Sequence, residues 1–152
     1  MHKTLVRNVF LAAALGGLGQ AGPALAYYNG AATLDPGGNN AQATAFAAVN
    51  CFNNGNGDPH HFSAAVQDLS APSPGLLVSL HIFKDTQMTT VTDPASGDGN
   101  DSPFAIVAGG AGTYYLSIRK TDLGARNFNV AWECQTIDNV GTGTGISVLQ
   151  IQ

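Results

Sequence analysis

The sequence predicts an all-β chain folded as an antiparallel β-sandwich of about seven or eight short strands. Three observations carry that prediction. Helix signals are nearly absent after residue 26: charged residues are only 11% of the chain, and Gly, Asn, Thr and Ser recur between short apolar runs. Several of those runs alternate apolar and polar residues with the two-residue period of a strand. Turn-formers then punctuate them closely, and no fixed-period repeat points to a solenoid.

The first 26 residues read as a leader, not as part of the sandwich. Lys3 and Arg7 form a short basic region, and "VFLAAALGGLG" follows as an apolar stretch too short to span a bilayer. "ALA" at Ala24–Ala26 places small residues at a cleavage point after Gly22 and Pro23. Cleavage after Ala26 would leave residues 27–152 as a single domain, exported to the periplasm, the cell surface or the medium. No cysteine follows the cleavage point to carry a lipid anchor, and no second long apolar run supplies a membrane span.

Along the expected mature chain, "YYNGAATLDPGGNN" reads as an irregular lead-in with a turn at Asp35-Pro36-Gly37-Gly38. "AQATAFAAVNCF" has alanines that allow helix, but its Cys and the flanking "NNGNGDP" suit a strand ending in a loop. "HFSAAVQDL" sets Phe62, Ala64 and Val66 on one face, before "APSPG" breaks the chain. "LLVSLHIFK" groups Leu76, Val78, Leu80 and Ile82, with Ser79 and His81 opposite. "MTTVT" is a short strand. "FAIVAG" and "TYYLSIRK" are joined tightly through Gly109, Gly110 and Gly112. "DLGARN" turns into "FNVAWECQ", which puts Phe128, Val130, Trp132 and Cys134 on one face. A glycine-rich stem, "GTGTG" at 141–145, leads to the terminal strand "ISVLQIQ".

Charge and cysteine count narrow the function. Residues 27–152 hold four basic residues (Lys84, Arg119, Lys120, Arg126) against ten acidic ones, a formal charge of −6. Such a chain cannot displace counterions along DNA or RNA, and it offers anionic lipid no basic patch. Cys51 and Cys134 are the two cysteines. In an exported chain they read as a structural disulfide across most of the domain, and no C-x-x-C suggests a reactive pair.

"AGTYYLSIRKTD" followed by "FNVAWE" resembles the closing hairpin of the bacterial pre-peptidase C-terminal (PPC-like) domain. "GDPHHFSAAV" is similar to that family's opening strand and "LLVSLHIFKD" to its apolar middle strand, so the resemblance runs over about Asn56 to Gln135. It implies a jelly-roll-like sandwich that is exported, often appended to secreted hydrolases, and binds polymers, sometimes with calcium. Two departures are the domain-spanning cysteine pair and the lack of an attached enzyme within this sequence.

Three groups of residues are candidate sites. In "TDPASGDGNDSP", Asp93, Asp98, Asn100 and Asp101 offer oxygens to calcium on a backbone curled by Gly97 and Gly99. The twelve-residue EF-hand register fails, because counting from Asp93 or Asp98 ends on Phe104 or Gly109 and not on Glu. The competing reading is a solvated corner whose side chains cap their own turns. Asp58, His60, His61 and His81 form a second group with the donors a transition metal needs. Neighbouring histidines on a strand point apart, and only a bend at Asp58-Pro59 would bring them together. The third group is aromatic: Tyr115 and Phe83, with Tyr27 and Tyr28, fall off the expected core face and could stack on sugars or fill a partner's pocket.

No H-E-x-x-H, G-x-S-x-G or P-loop is present, and nothing singles out a carboxylate pair among Asp58, Asp68, Asp85 and Glu133. The expectation is therefore a non-enzymatic secreted module that binds an extracellular polysaccharide, protein or surface partner, with calcium as the candidate cofactor. Two alternatives stay open: a structural subunit that self-assembles through its terminal strand, and a metal-binding protein or hydrolase using the Asp/His residues.

Overall fold

In the computed structural model, which describes residues 27–152, each alternating run becomes a strand, and the run His61–Asp68, in the middle of its sheet, is buried on both faces. The expected leader, residues 1–26, lies outside the described residues, as does its cleavage after Ala26. Nine strands are present among the described residues: β1 (Tyr28–Leu34), β2 (Thr44–Phe52), β3 (His61–Asp68), β4 (Val78–Lys84), β5 (Gln87–Thr92), β6 (Ala105–Val107), β7 (Gly112–Lys120), β8 (Arg126–Gln135) and β9 (Gly143–Ile151). They form a four-stranded sheet, β1-β8-β3-β6, and a five-stranded sheet, β5-β4-β7-β2-β9. Every pairing is antiparallel.

Without β9 the order is four strands on four, β1-β8-β3-β6 facing β2-β7-β4-β5, which is the jelly roll. The expected jelly-roll-like sandwich is thus what the chain forms, with a ninth strand added beside β2. Two segments differ from the sequence reading. The supposed lead-in contains β1, which pairs with β8 from Tyr28↔Trp132 to Leu34↔Arg126. Its Gly and Ala residues carry no strand preference, so tertiary pairing of the backbone makes the strand. Likewise β9 begins at Gly143, inside the glycine-rich stretch, where Thr142 and Gly143 are already buried. The terminal residues fold back on β2 of their own chain, with a bulge opposite Phe46/Ala47.

Between the sheets lie Val49 and Cys51 of β2, Phe62 and Val66 of β3, Leu80 and Ile82 of β4, and Tyr114 and Leu116 of β7. Phe128, Val130, Trp132 and Cys134 of β8 complete the core. Cys51 and Cys134 are bonded, with Cα atoms 5.6 Å apart, and so join the two sheets through the core. Each is the second-last residue of its strand, so β2 and β8 run in the same direction toward the disulfide end. At the opposite end, buried Lys120 donates to Asp35 at 2.8 Å, and Arg126 lies 3.7 Å from Asp68. These pairs neutralise the charges that terminate the inward faces of four strands.

Candidate binding surface

The outward positions of the five-stranded sheet bring aromatic residues from three strands together. Register places Phe83 of β4 beside Tyr115 of β7, with Met88 of β5 on its other flank. One row along, His81 is paired with Ser117, which is paired in turn with Phe46 of β2. The Phe46 and Tyr115 rings are parallel to within 8°, with centroids 5.6 Å apart, and His81 stacks with Phe83 at 6.3 Å. Tyr115 is 44% exposed and Phe83 37%. At about 4.8 Å per strand, β5 to β2 spans about 14 Å of surface.

His81 is held in this array. Its Nδ1 is 2.9 Å from Thr90 Oγ1, and its Nε2 has no hydrogen-bond partner. Burial lowers its pKa below the usual histidine value, and the positive charge of Arg119 lowers it further. The imidazole is therefore neutral at pH 7 and behaves as one more flat ring. The side chains around it (Thr90, Ser117, Arg119) are hydrogen-bonding groups. Planar faces flanked by donors suit a ligand with alternating CH and OH faces.

Of the residues singled out from sequence, Tyr115 and Phe83 are brought together here, and His81 joins them. His81 does not approach His60 and His61, because β4 belongs to the other sheet and His81 sits on its outer face. Tyr27 and Tyr28 lie elsewhere. Tyr27 packs on Phe104 at 4.8 Å, and Tyr28 stacks on Trp132 at 6.3 Å. Phe46 and Met88 were missed. A firm strand assignment for "ATAFAAV" would have found Phe46, since it alternates with buried Ala45 and Ala47.

The acidic stretch docks against the end of β3. Asp93 is buried and accepts the N–H groups of Asp68 at 2.6 Å and Ala95 at 3.0 Å. Asp98 is exposed and accepts from Asn100 N–H at 2.8 Å and Asn100 Nδ2 at 2.9 Å; those two hydrogen bonds lower its pKa. Asp101 is exposed. The structure therefore gathers Asp98 and Asn100 and turns Asp93 inward, away from them.

His60 and His61 do meet, with Nδ1 atoms 3.2 Å apart and rings nearly perpendicular, because His60 precedes β3. A buried polar chain lies behind them. His61 Nε2 is 2.9 Å from Gln135 Oε1, which also accepts from Ser63 Oγ at 3.1 Å. Gln135 Nε2 in turn donates to Glu133 Oε2 at 3.1 Å. Burial raises the Glu133 pKa, and the Gln135 hydrogen bond offsets part of that rise. Gly141 lies so close that an added Cβ would collide with Glu133 Oε1.

His61 thus faces the Gln135 oxygen through Nε2 and His60 through Nδ1. His60 lines a cleft of about 540 Å³ with Asp58 and Asp138 at its walls. Gln135 gave no local signal, since only register puts it beside His61, whereas Ser63 shares the face of His61 by the two-residue period of β3. Among the described residues no three His, Cys, Asp or Glu side chains are grouped so as to hold a metal ion.

No family model, no curated protein and no solved structure matches this chain.

Proposed function

We propose that the protein is a non-enzymatic binding module that works outside the cytoplasm and holds an extended polysaccharide on the outer face of its five-stranded sheet. The observation that carries this reading is the aromatic array: Tyr115 parallel to Phe46 and beside Phe83, drawn from three strands of a rigid sheet. Exposing such rings leaves apolar area in water, and a sugar's CH face covers it while its hydroxyls reach Thr90, Ser117 and Arg119. The disulfide supports an oxidising compartment, in keeping with the leader-like residues 1–26. Resemblance to the polymer-binding pre-peptidase C-terminal family points the same way.

The test is depletion of the purified protein from solution by insoluble polysaccharides (cellulose, chitin, starch, peptidoglycan), with Tyr115→Ala and Phe83→Ala beside the wild type. Loss of one stacking ring should weaken retention by about tenfold, the equivalent of roughly 1.4 kcal/mol. Both side chains are partly exposed, so the folded core should be unaffected. If no polysaccharide retains the wild type, or if both variants are retained equally well, the aromatic face is not a carbohydrate site.

A further inference from the structure

We propose that the side of the sandwich bounded by β1 and β9 is a self-association surface whose occupant is a second copy of this chain. In this joint β9 of each copy pairs in parallel with β1 of the other. This joint uses the sheet edges and leaves the aromatic face free.

The ninth strand breaks the four-on-four match of the jelly roll. β9 extends the larger sheet past β1, the edge of the smaller one. Among the described residues its inward side chains are only partly covered, across a groove shared with β1 and β8: Ile146 is 40% exposed, Val148 62% and Ile151 50%. Between the two edges runs an apolar groove of about 110 Å³, walled by the small residues Ala32, Ala45 and Ala47 and floored by Leu116, Val130 and Trp132. Among the described residues the core is thus only partly covered along this side, which closes at one end where Asp35 N–H donates to Gln152 O at 2.8 Å.

Strand direction decides how a second copy fits. β1 is antiparallel to β8, β9 is antiparallel to β2, and β2 and β8 both run toward the disulfide. Hence β1 and β9 run the same way. A two-fold axis along that direction sets the overhanging β9 of one copy beside the recessed β1 of the other. It does so in both layers at once, and each layer becomes five strands continued by four. The isologous match comes from the mismatch itself.

Charge does not oppose this joint. β1 ("YNGAATL") and β9 ("GTGISVLQI") contain no charged residue and no Pro. Edges meant to stay single normally carry such guards. A bulge next to Gln150 is the one irregularity, and it leaves Gly143 to Val148 regular. The seven residues of β1 extend for about 23 Å, and two sheet edges roughly 10 Å apart make a strip about 20 Å wide. That strip is on the order of 460 Å² per partner, smaller than the roughly 800 Å² per partner of a standard stable interface, which suits a dimer that forms and dissociates with concentration.

The test is sedimentation of residues 27–152 with the disulfide intact, combined with backbone amide exchange at low and high protein concentration. A concentration-dependent dimer is expected, with exchange slowed on both β1 and β9. Val148→Lys, at an exposed edge position, should weaken the dimer by about a hundredfold, since each joint would bury an unpaired ammonium. A monomer at every concentration overturns the proposal. So does a dimer that protects β9 alone, which would mean β9 pairing with itself, or one that protects neither edge. If Val148→Lys fails to fold, the exchange pattern of the wild type still decides. Wild-type affinity that survives in a folded Val148→Lys variant also overturns the joint.

Discussion

The carboxylate of Asp93 accepts the backbone N–H of Asp68 at 2.6 Å, so the first residue after β5 is locked to the last residue of β3. Asp68 extends the lock, because its own side chain accepts from Ser96 Oγ at 2.8 Å and Ser70 N–H at 2.9 Å. The segment from 93 to 102 then continues along β3, with Gly97 N–H donating to Asp68 O and Ser102 N–H to Val66 O. The stretch "TDPASGDGNDSP" acts here as a corner tied down at its first carboxylate.

Asp93→Ala should therefore be costly. It leaves the buried Asp68 N–H without its partner, and about 2–3 kcal/mol of stability is at stake. Asp98→Ala, at an exposed turn, should move the melting temperature little. Chemical denaturation of both variants checks the contrast, and equal losses would show that Asp93 has no special role.

Calcium should have little effect on the folded protein. Asp93 has both oxygens engaged by N–H groups, which leaves Asp98 and Asp101 short of the six to eight oxygens calcium prefers. Melting in millimolar calcium and in chelator should give the same midpoint. A rise in calcium that Asp98→Asn abolishes would make the loop an ion site of the weak extracellular kind.

Removing the disulfide should destabilise the whole sandwich. Cys51 and Cys134 are 83 residues apart, and chain-entropy reasoning assigns a loop of that size about 4.5 kcal/mol. Paired Cys51→Ser and Cys134→Ser substitutions, or reduction of the wild type, should lower the denaturant midpoint with a loss of that order. An unchanged midpoint would show that packing alone joins the sheets.

Glu133 should make stability depend on pH. Its pKa in the fold lies above that of the unfolded chain, because burial disfavours the charged form. The folded state then holds the proton more tightly. This contribution is fully present below about pH 4.3 and is lost as pH rises through the raised folded value. Glu133→Gln removes the titration while keeping an oxygen for Gln135. Wild type should compare best with this variant in acid and progressively worse toward neutral pH. A difference in melting temperature that stays constant from pH 3 to about pH 7 would contradict the buried-carboxylate account.

Much of the fold was legible because strands with one buried face announce themselves by alternation. "LLVSLHIFK", "TYYLSIRK" and "FNVAWECQ" each place their core side chains at every second position, although in β8 the alternate residues Ala131, Glu133 and Gln135 are buried as well, and the same period puts Phe83 and Tyr115 outside. The cysteine pairing followed from there being two cysteines in a chain with an export-like start. β1 was hidden, since "YNGAATL" has no preference of its own and becomes a strand only against β8. Adjacent histidines on a strand point apart, yet His60 and His61 meet because His60 lies just before β3, whereas His81 belongs to the other sheet.

What the sequence by itself determined was therefore the class of fold, the inward face of most strands and the disulfide, because each rests on local periodicity or on counting. Only the tertiary structure decided which outward residues are neighbours. Phe46 reaches Tyr115 and Gln135 reaches His61 through register between strands far apart in sequence, and Asp93, in the loop after β5, reaches the end of β3 in the opposite sheet. Register is set by the packing of both sheets at once, and no window of neighbouring residues contains it.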